Sequence, residues 1–163
     1  MMQRQLCALA LATVAALSGC AATSSLQTGM TRDQVLAKWG KPLREVPISV
    51  GERLQYTQQP SGQEAFNVDL DKTGHVVSVD QVLFRANFAR ISTAGDWTKA
   101  DVEREFGPSG KIEHVSRWDG PIMAYRFREG MNDLMFWVYL DNAGVVRRAH
   151  EGIDWRNQRS VRG

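Results

Sequence analysis

Three features of this sequence carry residues that could do chemistry: an acidic loop, three histidines and a crowd of aromatics. Asp69, Asp71 and Thr73 alternate, Gly74 follows, and Asp80 stands at the twelfth place, which is the oxygen spacing of a calcium loop. The flanks of this loop alternate like strands rather than helices, and the last ligand would be the shorter Asp. A later segment repeats Asp141 and Gly144 but has Tyr139 where the first ligand would stand. A turn accounts for what both segments share, so no metal is expected. His75, His114 and His150 fall on separate predicted strands, and none has an i, i+2 or i, i+4 partner of ligand type. There is no Gly-x-Ser-x-Gly elbow, and no carboxylate pair stands out as a catalytic couple. The chain reads as a non-enzyme, with no catalytic residue and no cofactor expected.

The aromatics point to binding instead. Trp118, Tyr125, Phe127, Phe136, Trp137 and Tyr139 lie close together in the second half. On an alternating strand Phe136 and Val138 face one way, while Trp137 and Tyr139 face the other. One face must lie on a helix. The other then presents Trp137 and Tyr139, near Tyr125 and Arg126, as an apolar patch with basic neighbours, the signature of an interaction surface. Arg128 and Arg148 extend its basic side. The alternative is that the rest of the chain covers this face.

The elements that position these residues occur twice. Thr31 to Gly40 is echoed by Thr98 to Gly107, and Phe66-x-Val68-x-Leu70-Asp71-x-x-Gly74-x-Val76 by Phe136-x-Val138-x-Leu140-Asp141-x-x-Gly144-x-Val146. Each helix has a Thr N-cap, with Gln34 or Asp101 completing a capping box. Met30 with Val35, and Trp97 with Val102, have the spacing of a hydrophobic staple. Gly40-x-Pro42 and Gly107-Pro108 stop the helices. Strands are predicted over 53–57, 63–70 and 75–82, then over 112–118, 122–128, 134–140 and 145–150. Residues 84–93 extend a strand or form a short helix. The expected fold is α+β: two tandem helix-plus-antiparallel-strand (αβββ) repeats, with the helices packed on one face of the sheet. A unit of about 60 residues buries little core alone, so the two sheets are expected to abut or to run continuously.

The ends set the location. Arg4 and the apolar run Leu6 to Leu17 suit a signal peptide and are too short for a permanent span. Leu17-Ser18-Gly19-Cys20 resembles the lipobox of bacterial lipoproteins, which implies cleavage before Cys20 and acylation of its thiol. Ala21, not Asp, follows, which favours the outer membrane. Cys7 leaves with the signal, so the mature chain keeps no thiol for a disulfide, catalysis or zinc. The formal charge of +2 falls to +1 without Arg4, so nucleic acid is not an expected partner. Arg147, Arg148, Arg156, Arg159 and Arg162 cluster towards the end. They read as a solvated terminus, or with Trp155 as a contact for anionic headgroups or an acidic partner. The organisation is signal peptide 1–19, lipidated Cys20 and tether 20–28, first repeat 29–84, connector 85–94, second repeat 95–155 and basic tail 156–163.

Gly29-Met30-Thr31, Val35, Gly40-x-Pro42, the Tyr56 strand and Leu70-Asp71-x-x-Gly74-x-Val76 together resemble the SmpA/OmlA (BamE-like) small outer-membrane lipoproteins. The likeness covers about 20–80 and, more loosely, about 95–150. A looser likeness of architecture is to the β-lactamase inhibitor proteins. The family has one unit where this chain has two. It implies a periplasm-facing, lipid-anchored binding module in envelope or outer-membrane protein assembly or integrity. Implied partners are the outer membrane through Cys20, an envelope protein such as the barrel-assembly machine, and anionic phospholipid. The family's contact strand is represented here by Leu54-Gln55-Tyr56 and by Tyr125-Arg126-Phe127-Arg128. The expected surface is therefore Tyr56, Tyr125, Arg126, Arg128, Trp137, Tyr139 and Arg148. Alternative roles are an inhibitor or sequestering protein on a periplasmic hydrolase, or a carrier of lipid or a small ligand.

Overall fold

The structure, a computed structural model, describes residues 25–156. The signal segment, Cys20 and the tail beyond Arg156 lie outside the described residues, as do the expectations placed on them.

The chain folds as a mixed α+β protein with two four-stranded antiparallel sheets and few helices. The first half runs α1 (Arg32–Trp39), β1 (Arg44–Ile48), β2 (Gly51–Thr57), β3 (Ala65–Asp71) and β4 (Val76–Gln81). A four-residue helix, α2 (Arg85–Phe88), leads into α3 (Lys99–Phe106), β5 (Lys111–Glu113), β6 (Ile122–Glu129), β7 (Asn132–Leu140) and β8 (Val146–Ile153). Both sheets are simple meanders, ordered β1-β2-β3-β4 and β5-β6-β7-β8.

Both long helices start as their sequences dictate. Thr31 accepts from the Gln34 amide, and Gln34 accepts from the Thr31 amide at 2.9 Å. Thr98 and Asp101 repeat the exchange. Gly40 and Gly107 end the helices at φ 77° and 76°, conformations that cost a glycine little. Met30 and Trp97 each pack on the core beside Val35 and Val102.

The layout differs from expectation in three ways. Each half has four strands where the αβββ layout has three: the first half gains β1, and the second keeps the four strands that its sequence predicts. The unforeseen β1 is an edge strand whose Pro47 pairs opposite Glu52, a place where a missing amide is tolerated. Second, β5 stops at Glu113, and residues 114–121 loop over the sheet instead. Third, the sheets are separate and share α3. On the side where Val102 and Phe106 lie, α3 packs into one core with Tyr125, Phe127, Phe136 and Val138. Its C-terminal end meets the first sheet on the face away from α1. There Gln55 donates to the carbonyls of Glu103 and Arg104, both at 3.0 Å, and Asn67 donates to that of Glu105 at 2.8 Å. The Glu103 carbonyl also accepts from the Gly107 amide at 2.9 Å, and the Arg104 and Glu105 carbonyls, at the helix end, find their donors on the first sheet. The helix therefore lies between the sheets, and Ala65, Val82 and Leu83 of the first half join the core of the second. A smaller core beneath α1 gathers Val35, Leu54, Val68, Leu70 and Val76. Phe88 of α2 stacks on Phe136 at 4.2 Å, placing the connector inside the larger core.

Candidate binding face

Antiparallel register fixes which side chains share a face. In the second sheet Ala124, Trp137 and His150 are aligned across β6, β7 and β8, as are Ile122, Tyr139 and Arg148. All of these project on the side away from α3. There the rings form a continuous array. His150 stacks on Trp137 at 5.2 Å and on Tyr139 at 5.3 Å, Trp118 meets Tyr139 edge-on at 5.2 Å, and the Arg148 guanidinium lies 5.2 Å over Tyr139. Offset rings and a cation over a ring face are favourable arrangements. The imidazole pays for its place: burial first, then Arg148, lowers the His150 pKa.

Local structure sets the rings. The Trp118 indole donates to the Leu140 carbonyl at 2.7 Å, which holds the 114–121 loop over Tyr139. The Trp137 indole donates to Glu113 at 3.2 Å. It lies against Gly152, where a Cβ would stand 2.9 Å from the ring, so β8 needs glycine there for close approach. Beside Trp137 a cleft of about 490 Å³ opens, floored by Ala124 and Met135 and bounded by Gln59, Ile153 and Trp155.

One wall of this cleft is a buried ion cluster. Asp154, 2% exposed, accepts from Arg126 at 2.6 Å and from the Arg156 side chain at 3.2 Å. Burial alone would raise the Asp154 pKa, but the hydrogen bonds from Arg126 and Arg156 outweigh it and hold the carboxyl below its ordinary value. Arg126 also donates to the carbonyls of Pro60 and Ser61. The Gln59 amide accepts from the Arg126 backbone amide at 3.0 Å and donates to its carbonyl at 2.7 Å, much as a neighbouring strand would. The first half is thus bonded to the second sheet at the edge of the cleft.

Trp137, Tyr139, Arg148, Arg126 and Arg128 all lie on this face, but the two arginines of β6 are not placed as expected. Arg126 is buried by its ion pair and by the 59–61 loop, so it supports the cleft rather than offering a contact. Arg128 is exposed at the hairpin end of the sheet and paired with Asp133 at 3.0 Å. Tyr125 is not a surface residue. It points into the core beneath α3, fully buried, and its hydroxyl donates to the Gly107 carbonyl at 2.8 Å. Tyr56 belongs to the first sheet, where its hydroxyl donates to the Gly40 carbonyl at 3.0 Å and Trp39 packs edge-on at 5.2 Å. His150, Glu113, Gln59 and Asp154 were not foreseen as parts of this face. The period-two alternation of β8 could have found His150. Gln59 and Asp154 sit outside regular strands and leave no periodic signal.

The acidic loop works as a turn. Asp71 accepts from the amides of Thr73 and His75, at 2.8 and 3.0 Å, and Asp141 accepts from those of Ala143 and Val145. Among the described residues no three or more His, Cys, Asp or Glu gather as a metal site, and no helix is long and apolar enough to cross a membrane.

Neither a family model nor a curated protein matches the sequence. Among solved structures, a DUF4309 family protein (YjgB) from Bacillus subtilis subsp. subtilis str. 168 matches at 15% sequence identity. The match covers 76% of this chain and 78% of that one, with a TM-score of 0.29.

Proposed function

We propose that this protein is a lipid-anchored, periplasm-facing module of the outer membrane, tethered through Cys20, that binds an envelope protein without catalysis. Its two halves are copies of one duplicated unit, and the second copy supplies the contact surface. The observation that carries this reading is a contrast between equivalent faces. The side of the first sheet away from α1 is covered by the end of α3, whereas the equivalent side of the second sheet bears the Trp137–His150–Tyr139 stack and an open cleft. A stacked aromatic cluster beside a cleft, with cations at its margin, is the composition of a protein-binding hot spot. The lipobox-like segment and the resemblance to outer-membrane lipoproteins supply the location and the role in envelope or outer-membrane protein assembly or integrity.

The test is affinity purification of the tethered protein from its native envelope. Wild type should recover a specific partner, and Trp137→Ala and Tyr139→Ala should recover less than about a tenth of it while keeping the wild-type circular dichroism spectrum. A barrel-assembly subunit among the partners supports the assembly role. A hydrolase as sole partner would replace it with inhibition. Undiminished recovery by both variants would remove this face from the account.

A further inference from the structure

We infer that the occupant of this face is an acidic polypeptide segment carrying a large apolar side chain, with the side chain in the cleft and its carboxylates on Lys111, Arg148 and Arg156. The inference rests on the binding-face reading and adds the chemistry of the partner. Its first support is an internal precedent. The equivalent face of the first sheet already holds an acidic segment, the end of α3, whose Glu103 pairs with Arg44 at 2.9 Å and whose Glu105 reaches Arg53 at 3.5 Å. Between those glutamates the chain offers its backbone to Gln55 and Asn67, while Phe106 turns to the other side into the core of the second half, so the precedent bears on the acidic part of the occupant.

Register carries the comparison across. Arg44, Gln55, Asn67 and Asp80 form one row of the first sheet; Lys111, Ala124, Trp137 and His150 form the matching row of the second. A basic residue opens both rows. The amides that receive helix carbonyls in the first have become an apolar floor and an indole in the second, which suits a side chain rather than a helix end.

Charge agrees. Around the cleft Lys111, Arg126 and Arg156 outnumber Glu113 and Asp154 by one, and Asp154 is already shared by two guanidiniums. Arg148 adds a further cation that has no carboxylate partner among the described residues. Its guanidinium lies over the Tyr139 ring. The Arg156 side chain is 54% exposed, so its guanidinium keeps a side open to a ligand. Opposite charge across such a rim sets specificity and on-rate, while the apolar anchor sets the lifetime.

The experiment uses the full-length lipidated protein in detergent and three synthetic peptides, read by tryptophan fluorescence. One is acidic and carries phenylalanine, the second replaces its acids with lysine, and the third replaces phenylalanine with alanine. The acidic phenylalanine peptide should bind at least about tenfold tighter than either control, and its affinity should fall with added salt. Trp137→Ala should lose about tenfold, and the double variant Arg148→Gln/Arg156→Gln should lose a similar factor together with most of the salt dependence. Equal binding of the lysine peptide, equal binding of the alanine peptide, or no binding of any would overturn the inference. So would self-association abolished by Trp137→Ala without peptide binding, which would assign the face to a second copy. If the envelope partner is lost in Trp137→Ala but no acidic peptide binds, the face stands and the acidic chemistry falls.

Discussion

Tyr56 and Tyr125 occupy equivalent places, each donating its hydroxyl to the carbonyl of the glycine that ends the preceding helix. Their surroundings differ. Tyr125 is fully buried, and burial pushes its phenol well above the ordinary pKa, whereas Tyr56 keeps part of its surface in water. Tyr125→Phe should therefore cost about 1–3 kcal/mol by urea unfolding, because the Gly107 carbonyl loses its partner out of reach of water, and Tyr56→Phe less than about 1 kcal/mol. Asp154 gives the second residue-scale prediction. Asp154→Asn leaves Arg126 buried with a weakened partner and should cost about 3–5 kcal/mol. The pH dependence follows from the sign of the shift. The folded pKa lies below the ordinary 3.8, so the carboxylate stabilises the fold above that value and ceases to do so as pH falls through the folded pKa. Acid unfolding of wild type should accordingly be steeper below about pH 4 than that of Asp154→Asn, measured as unfolding free energy against pH. At this scale the sequence was readable for Trp137 and Tyr139 but not for Tyr125. Alternation tells which residues of one strand share a face. Which face of β6 joins which face of β7 is decided by the Gly130-Met131 turn, which pairs Glu129 with Asn132 and so places Tyr125 opposite Phe136 in the core.

At the scale of elements, α3 does two jobs. Its apolar side packs under the second sheet, and its carbonyl end is received by the first. The capping residues and stop glycines of both helices were legible because they are local chemistry. The reception of the α3 end was not, because Gln55 and Asn67 read as the solvent side of an amphipathic sheet; only the fold shows a helix end there instead of water. Pro47 and the charged pair Arg44-Glu45 hid β1 in the same way, since an edge strand need not alternate. Gln55→Ala removes donors from two helix carbonyls at a site 2% exposed and should cost about 2 kcal/mol or more. Amide exchange should quicken in the last turn of α3 before it quickens in α1, which hydrogen-exchange mass spectrometry can follow.

For the whole molecule, the expected consequence is that the two halves unfold together. Ala65, Val82 and Leu83 lie in the same core as Tyr125 and Phe127, Gln59 bonds the backbone of β6, and Arg53 reaches the Arg104 carbonyl at 2.9 Å. Calorimetry should show one transition with equal calorimetric and van't Hoff enthalpies, and the chain ended after Phe84 should not fold, because Arg53, Gln55 and Asn67 would lose the helix end that satisfies them. The recurrence of caps and turns was visible in the sequence; the sharing of one helix between two sheets was not. That sharing leaves one equivalent sheet face without a helix, and that face carries the stacked rings. The most direct test is site-specific photo-crosslinking in the native envelope, with the reactive side chain at Ile153 beside the cleft and, as control, at exposed Val77 on the first sheet. A discrete crosslinked species from position 153, absent from position 77 and abolished by Trp137→Ala, is the predicted result. Crosslinks from position 77 alone, or from position 153 undiminished by Trp137→Ala, would contradict it.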